Sequence, residues 1–256
     1  MEFSVLIPAR YASSRLPGKP LSDIHGKPLI QHVYECGLRS GATDVVVATD
    51  DERIESVVRG FGGEVCMTAS SHRTGTDRLN EVAVKRGYSD AHIIVNLQGD
   101  EPMMPAAVIT QVARNLDVHT DAAMSTVATP IVDAEDLLDP HVVKIARDQA
   151  GYALYFSRAP IPWRQSAPNS GAPQAGLHWR HIGLYAMRAG FLQQFVNWPA
   201  TELEQLESLE QLRVLWHGRR IYVDEAVEVP GHGVDTPQDL ERVRTQMAAL
   251  AGGSPA

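Results

Sequence analysis

Three cations and two distant carboxylates carry most of the chemistry this sequence offers. Arg10, Arg15 and Lys19 lie in the stretch Pro8-Ala9-Arg10-Tyr11-Ala12-Ser13-Ser14-Arg15-Leu16-Pro17-Gly18-Lys19-Pro20, directly after a largely apolar run, Phe3 to Ile7. A short strand that breaks into a turn-rich cationic loop suits a polyphosphate, because α/β folds bind ligands beyond the carboxyl ends of their strands. Arginine offers a planar fork to phosphate oxygens and lysine a compact point charge. Neither G-x-x-x-x-G-K-[ST] nor G-x-G-x-x-G is present in this loop, so neither of those phosphate motifs explains it. Asp100, in Gln98-Gly99-Asp100-Glu101-Pro102, follows the most apolar strand pattern of the chain. A carboxylate there fits a divalent cation beside a polyphosphate, since Mg²⁺ uses one or two carboxylates and completes its shell with phosphate oxygens and water. Asp235, in Gly231-His232-Gly233-Val234-Asp235-Thr236-Pro237, reads either as a second metal carboxylate or as a helix-entry residue.

Other polar clusters are less specific. Ser71 to Arg78, with Thr74-Gly75-Thr76 at its centre, is a turn that either caps a helix or contacts a base or phosphate through backbone N–H groups. Arg158, His181, Tyr185, Glu207 and Glu210 lie in the second half of the chain, where a cosubstrate could bind. The i, i+3, i+4 spacing of Glu207, Glu210 and Gln211 places them on one side of an expected helix over about 201–216. His72, His181 and His232 lack H-x-x-x-H and H-E-x-x-H spacing, which disfavours histidine–metal chemistry.

These residues need a scaffold, and the hydrophobic pattern supplies one. Strand patterns cover Phe3–Ile7, Asp44–Thr49, Glu64–Thr68 and His92–Gln98; helical spacing fills the intervals, and Pro105 opens a further helix. The runs Val45-Val46-Val47 and Ile93-Ile94-Val95 are apolar without alternation, as expected of strands covered on both faces. The alternation predicts an α/β fold with a mainly parallel, twisted sheet and helices on both faces. Further along, Val142–Arg147 and Tyr152–Ser157 read as a hairpin, His181–Met187 and Ile221–Asp224 as strands, and Thr236-Pro237 as the start of a last helix. Residues 165–177 have loop composition and are expected to be mobile; the tail after residue 250 is expected to be disordered. No linker divides the chain, so one domain over 1–250 is expected, with a mixed α/β portion at about 130–220.

Composition narrows the function. The 256 residues are 44% hydrophobic and 21% charged, ordinary for a soluble globular protein. A net charge of −8 argues against a nucleic-acid partner. The two cysteines, Cys36 and Cys66, form no C-x-x-C pair and read as buried small hydrophobes. No apolar stretch approaches the roughly 18 residues of a membrane span, and the first residues do not resemble a signal peptide, so the reading is cytoplasmic with no membrane partner.

Taken in order, Leu6 to Leu21, Val95 to Pro102, Tyr152 to Arg158, His181 to Tyr185, Leu206 to Arg213 and Gly233 to Pro237 resemble the motifs of the cytidylyltransferases that activate acidic sugars. Within that family they resemble the branch acting on 3-deoxy-manno-octulosonate (Kdo), over residues 1 to about 248. The family has Ser-Gly-Thr where this chain has Thr74-Gly75-Thr76. The resemblance implies a nucleotide-diphospho-sugar transferase (Rossmann-like) fold, a homodimer with its dimerisation surface in the mixed portion, and Mg²⁺-dependent transfer of CMP from CTP to Kdo for lipopolysaccharide synthesis. It implies that Ala9, Arg10, Arg15, Lys19, Thr74, Gly75 and Arg78 bind the nucleotide. Asp100 and Asp235 would ligate Mg²⁺ and, with Lys19, carry catalysis. Gln98, Arg158 (rather than Arg164), His181, Tyr185, Glu207 and Glu210 would face the sugar acid. Two other readings are a sibling acting on a sialic acid and an inactive sugar- or nucleotide-binding protein; a nicotinamide dehydrogenase is disfavoured by the missing glycine fingerprint.

Overall fold

The computed structural model describes residues 1–12, 15–165, 172–174 and 176–252. Among these, strands β1 (Phe3–Pro8), β4 (Asp44–Thr49), β5 (Glu64–Met67), β6 (Ile93–Asn96), β7 (Met124–Pro130), β8 (Lys144–Arg147), β9 (Ala153–Ser157), β10 (Trp179–Arg188) and β11 (Ile221–Glu225) form one sheet. A two-stranded hairpin, β2 (Asp23–Ile24) and β3 (Lys27–Pro28), and one turn of 3₁₀ helix at Lys19–Leu21 follow the cationic loop. The helices are α1 (Leu29–Arg39), α2 (Glu52–Gly60), α3 (Gly75–Arg86), α4 (Ala106–Val118), α5 (Ala134–Leu138), α6 (Ala189–Val196), α7 (Glu202–Glu207), α8 (Leu212–Trp216) and α9 (Pro237–Gly252).

Strand order along the main sheet is β11-β7-β10-β6-β1-β4-β5, with β8 and β9 attached beside β10. The pairs β6–β1, β1–β4, β4–β5 and β11–β7 are parallel; β10 runs antiparallel to both β6 and β7. Within each central strand successive side chains take opposite faces. Val5, Ile7, Val45, Val47, Ile93 and Val95 enter one core with α1, α2, α4 and α9, while Leu6, Val46, Ala48 and Ile94 enter the other with α3, α6 and α8. Helical cover on both faces is why these strands carry no alternation. The fold class expected from the sequence is present, with one reversed strand inserted in the sheet.

Two features differ from expectation. The stretch 201–216 is two short helices, broken where Ser208 takes a left-handed conformation (φ 52°). The break lets Arg213 fold back onto Glu204, Nε donating to Oε2 at 2.8 Å. Nine residues apart in an unbroken helix, the two would stand about 13.5 Å apart along the axis. The other difference is at the end of the chain: α9 reaches Gly252, into the stretch expected to be disordered, and the rest of that stretch (253–256) lies outside the described residues. The expectation of mobility for 165–177 likewise falls in part, at 166–171 and 175, outside them. No helix among the described residues is long and apolar enough to cross a membrane.

Candidate active site

The parallel strands deliver their loops to one edge of the sheet. The cationic loop leaves β1 there and is fastened at once: the Ala9 N–H donates to Ala48 O at 2.9 Å, and the Gly18 N–H donates back to Tyr11 O at 3.0 Å. The Asp100 loop leaves β6 beside it. Gly99 allows the two loops to meet, since a Cβ at that position would stand 2.7 Å from the Pro8 carbonyl oxygen. From the far end of the chain, the loop before α9 brings Asp235 to the same place.

Lys19 joins the three pieces. Its Nζ donates to Asp100 Oδ2 at 2.7 Å and to Asp235 Oδ1 at 3.2 Å, and Arg15 Nη2 lies 3.1 Å from that same Asp235 oxygen. The carboxylates, 135 positions apart, therefore converge on one cationic centre. That is the donor set a Mg²⁺ ion takes from a protein when phosphate oxygens and water fill the rest of its shell, so the residues fit the ion. A cavity of about 410 Å³ opens beside them, lined by Arg10, Arg15, Lys19, Gly75, Gln98 and Asp100 among others. Arg10 adds rigidity by donating from Nη2 to His72 O at 2.8 Å.

Gln98 also lines a second cavity, about 270 Å³, with Thr76, Asn96, Tyr185, Glu210 and Gln211. One side chain thus forms a wall common to both spaces. Glu210 enters through α8's preceding turn; Thr76 Oγ1 donates to its Oε2 at 2.6 Å, while Oε1 is buried without a hydrogen-bond partner. Burial raises the Glu210 pKa, against the hydrogen bond from Thr76. Tyr185 is enclosed, and burial pushes its phenol up. Its ring lies 5.3 Å from that of His181 across a slip in the β10–β7 register, where a bulge re-aims the strand. His181 Nε2 and Thr126 Oγ1 are 3.1 Å apart, and burial holds the imidazole down at about 3, so it stays neutral at physiological pH. His181 faces a smaller neighbouring cavity of about 140 Å³ with Glu101 and Arg180. Burial, then the charge of Asp100, pushes the Glu101 carboxyl up to about 8.

Four expected ligands have partners within the protein. Arg78 is fully buried, its guanidinium against Asp50 (Nη2 to Oδ2, 3.1 Å) and Thr68. Its place on the inner face of α3 makes it a brace between the ends of β4 and β5. Arg158 donates to the carbonyls of Glu207 (2.8 Å) and Pro140 (2.9 Å). The Glu207 carboxylate accepts from Ser157 Oγ (2.6 Å) and the Arg158 N–H (3.0 Å). The pair therefore ties α7 to β9, and the break at Ser208 turns Glu207 away from Glu210. Thr74 caps α3 in a reciprocal box with Asp77, so its hydroxyl is engaged, while Gly75 lines the cavity. Glu101 and Arg180 were not marked by the pattern; the signal for Glu101 was its position next to Asp100 in a strand-end turn.

The loop bearing His72 is clamped by Glu81, which accepts from the Ala69 N–H (2.9 Å), His72 Nε2 (2.5 Å) and Lys85 Nζ (2.7 Å). Burial raises the Glu81 pKa, but the hydrogen bonds from Lys85, Ala69 and His72 outweigh it and hold the carboxyl at about 2. A folded-state value below the ordinary 4.5 gives a contribution that is complete above about 4.5 and is lost as the pH falls toward 2. The expected outcome is a urea midpoint that drops more steeply between pH 4.5 and 2 in the wild type than in Glu81→Gln. Parallel acid limbs for the two proteins would refute the clamp.

Comparison with known proteins gives the family. A family described as Cytidylyltransferase matches residues 4–221. The 3-deoxy-manno-octulosonate cytidylyltransferase of Aeromonas hydrophila is 54% identical over 253 residues, spanning 97% of this chain and 100% of that one. The protein of the same name from Histophilus somni is 56% identical over 252 residues, 96% of this chain and 98% of its own. A solved structure of CMP:2-keto-3-deoxy-manno-octonic acid synthetase complexed with CTP superposes with a TM-score of 0.89 at 43% identity, covering 98% of this chain and 100% of that one. A nucleotidyl transferase from Methanothermobacter thermautotroptrophicus shares the fold at 16% identity, with a TM-score of 0.61 and coverage of 97% and 99%. With relatives above 50% identity over nearly its whole length, the chain belongs to the 3-deoxy-manno-octulosonate cytidylyltransferase family of cytidylyltransferases.

Proposed function

We propose that this protein transfers CMP from CTP to 3-deoxy-D-manno-octulosonate with release of pyrophosphate, using Mg²⁺ held by Asp100 and Asp235. The observation that carries the proposal is Lys19, in contact with both carboxylates at the mouth of a cavity that shares Gln98 with a second, acceptor-sized one. In the reaction the anomeric hydroxyl of Kdo attacks the α-phosphorus of CTP in line, and the bond from that phosphorus to pyrophosphate breaks. Little covalent work falls to the protein; positioning and charge stabilisation dominate. Arg10, Arg15 and Lys19 bind the triphosphate and offset the charge that accumulates on the leaving pyrophosphate. Gly75 and the turn around Thr74 lie against the nucleoside. Tyr185, Glu210 and Gln98 orient the acceptor, and neutral His181 supports Tyr185 rather than carrying a proton. Bound at Asp100 and Asp235, Mg²⁺ supplies Lewis-acid polarisation of the phosphoryl oxygens and eases ionisation of a hydroxyl. Arg158 and Glu207 act from behind, fixing α7 against β9. The same reading makes the protein a cytoplasmic homodimer; exposed Leu154 on β9 and Trp163 beyond it support a covered apolar surface there.

The test is pyrophosphate release with CTP and Kdo, with and without Mg²⁺, repeated with ATP, GTP and UTP and with a sialic acid as acceptor. Release confined to CTP, Kdo and Mg²⁺ is expected. Equal turnover after chelation would remove the metal, and preference for the sialic acid would remove the acceptor assignment.

A further inference from the structure

The loop carrying Asp235 meets the loop carrying Asp100 along a seam that contains no side chain from either carboxylate. The Val234 N–H donates to Asp100 O at 2.8 Å, and Val234 itself is fully buried in the core. Three residues earlier the Gly231 N–H points to Met103 O at 3.5 Å. Here the chains are so close that a Cβ on Gly231 would lie 2.7 Å from Met103 Cβ and 3.0 Å from its Sδ. Gly231 has no unusual backbone conformation among the positive-φ residues, so close approach is the reason for glycine at this position. At Gly233 a Cβ would meet Glu101 Oε1 at 2.7 Å, but that atom is the tip of a flexible side chain and can swing aside. Met103 Cβ is fixed to the backbone and cannot.

We infer that Gly231, closed against Met103, is a positioning residue that sets the separation of Asp100 and Asp235. The inference rests on the proposed metal role of those two carboxylates. Besides its ion pairs with Arg15 and Lys19, Asp235 is anchored at the α9 entry, where the Asp235 and Thr236 N–H groups donate to Asp239 at 3.3 and 3.0 Å. That anchor orients Asp235 with respect to its own helix. Besides the flexible Lys19 side chain that contacts both carboxylates, the seam relates it to the β6 loop through backbone. Widening the seam by a methyl group moves one carboxylate away from the shared cationic centre while both remain chemically intact, and support of this kind is worth about 10–100-fold in metal affinity.

The experiment is Mn²⁺ binding followed by electron paramagnetic resonance on the full chain with CTP present and Kdo absent, so that no turnover is needed. Gly231→Ala is expected to weaken Mn²⁺ about 10–100-fold with an unchanged far-ultraviolet spectrum. Gly233→Ala is expected to change it less than about threefold, because only a side-chain tip must move. Adding Met103→Gly to Gly231→Ala removes the opposing Cβ and is expected to restore most of the affinity. Wild-type affinity in Gly231→Ala, or a loss that Met103→Gly does not restore, overturns the inference. A crystal structure of Gly231→Ala separates this from the metal reading. If wild type binds no Mn²⁺ with CTP, the metal reading fails, and the seam is then judged by whether Lys19 still spans both carboxylates in the variant. Spanning overturns the inference; separation sustains it.

Discussion

Asp100→Asn lowers turnover by about 10²–10⁴-fold while the protein still folds and still binds CTP. The substitution keeps the size of the side chain and removes its charge. A bound metal contributes several kcal/mol of charge stabilisation to such a transfer, and each ~1.4 kcal/mol is worth a factor of about ten. The fold is insulated from the change. The hydrogen bond that fastens this loop to Val234 uses the Asp100 backbone carbonyl, which asparagine retains. The lost Lys19 contact is partly exposed, and pairs of that kind contribute about 1 kcal/mol or less. Lys19 and Arg15 keep their contacts with Asp235, so the cationic loop stays in place. Steady-state pyrophosphate release should therefore show a fall in kcat with a KM for CTP within about tenfold of wild type, the pattern of an interaction made mainly in the transition state. A kcat within about fivefold of wild type would exclude Asp100 from the reacting centre.

Arg213→Met is expected to cost about 3–5 kcal/mol of stability. Arg213 is almost wholly buried. Besides Glu204 it donates to the Phe195 and Trp198 carbonyls at 3.4 and 3.3 Å and lies 4.5 Å over the Phe195 ring. Removing it strands the Glu204 carboxylate, which keeps a 3.2 Å hydrogen bond from the Thr201 N–H. The penalty is that of an unpaired buried charge, so the double variant Arg213→Met, Glu204→Met should recover most of the loss. Urea unfolding of the three proteins measures both quantities. A cost below about 1 kcal/mol for the single variant, or no recovery in the double, would contradict this account. Arg213 also lies 3.9 Å from Glu210, so weaker acceptor binding should accompany the instability.

How much of the molecule is legible in its sequence depends on where the deciding forces act. Strands β1, β4, β5 and β6 were legible because cover on both faces demands unbroken apolar runs. β7 was not, since Ser125, Thr126 and Thr129 interrupt the run. They are buried, and Ser125 and Thr126 are tolerated because their hydroxyls reach the carbonyls of Val112, Ile182 and Leu184. The break at Ser208 was equally hidden. Helical spacing persists across it, and the Arg213–Glu204 pair that stabilises the fold-back is a contact that no local period reports. At the site, the meeting of Arg15, Lys19 and Asp100 could be expected from position, because loops that leave neighbouring parallel strands share an edge; Asp235, well past the end of β11 and just before α9, read equally as a helix-entry residue. Arg78 could not, because residue type does not reveal burial. On the inner side of α3 an arginine expected to bind the nucleotide lies against Asp50 and Thr68.

The reversed direction of β10 has its own consequence. In the parallel strands, residues at the binding edge come last and lead into their loops. In β10 they come first, with His181 and Tyr185 preceded by the segment that leads to Trp179. On the proposed reading, the donor nucleotide would be gripped by loops that leave strands, and the acceptor by the stretch that enters one. Insertions ahead of Trp179 can remodel the acceptor wall while the spacing between Lys19 and Asp100 stays untouched, so tolerance for a different sugar acid can change without retuning the grip on the triphosphate.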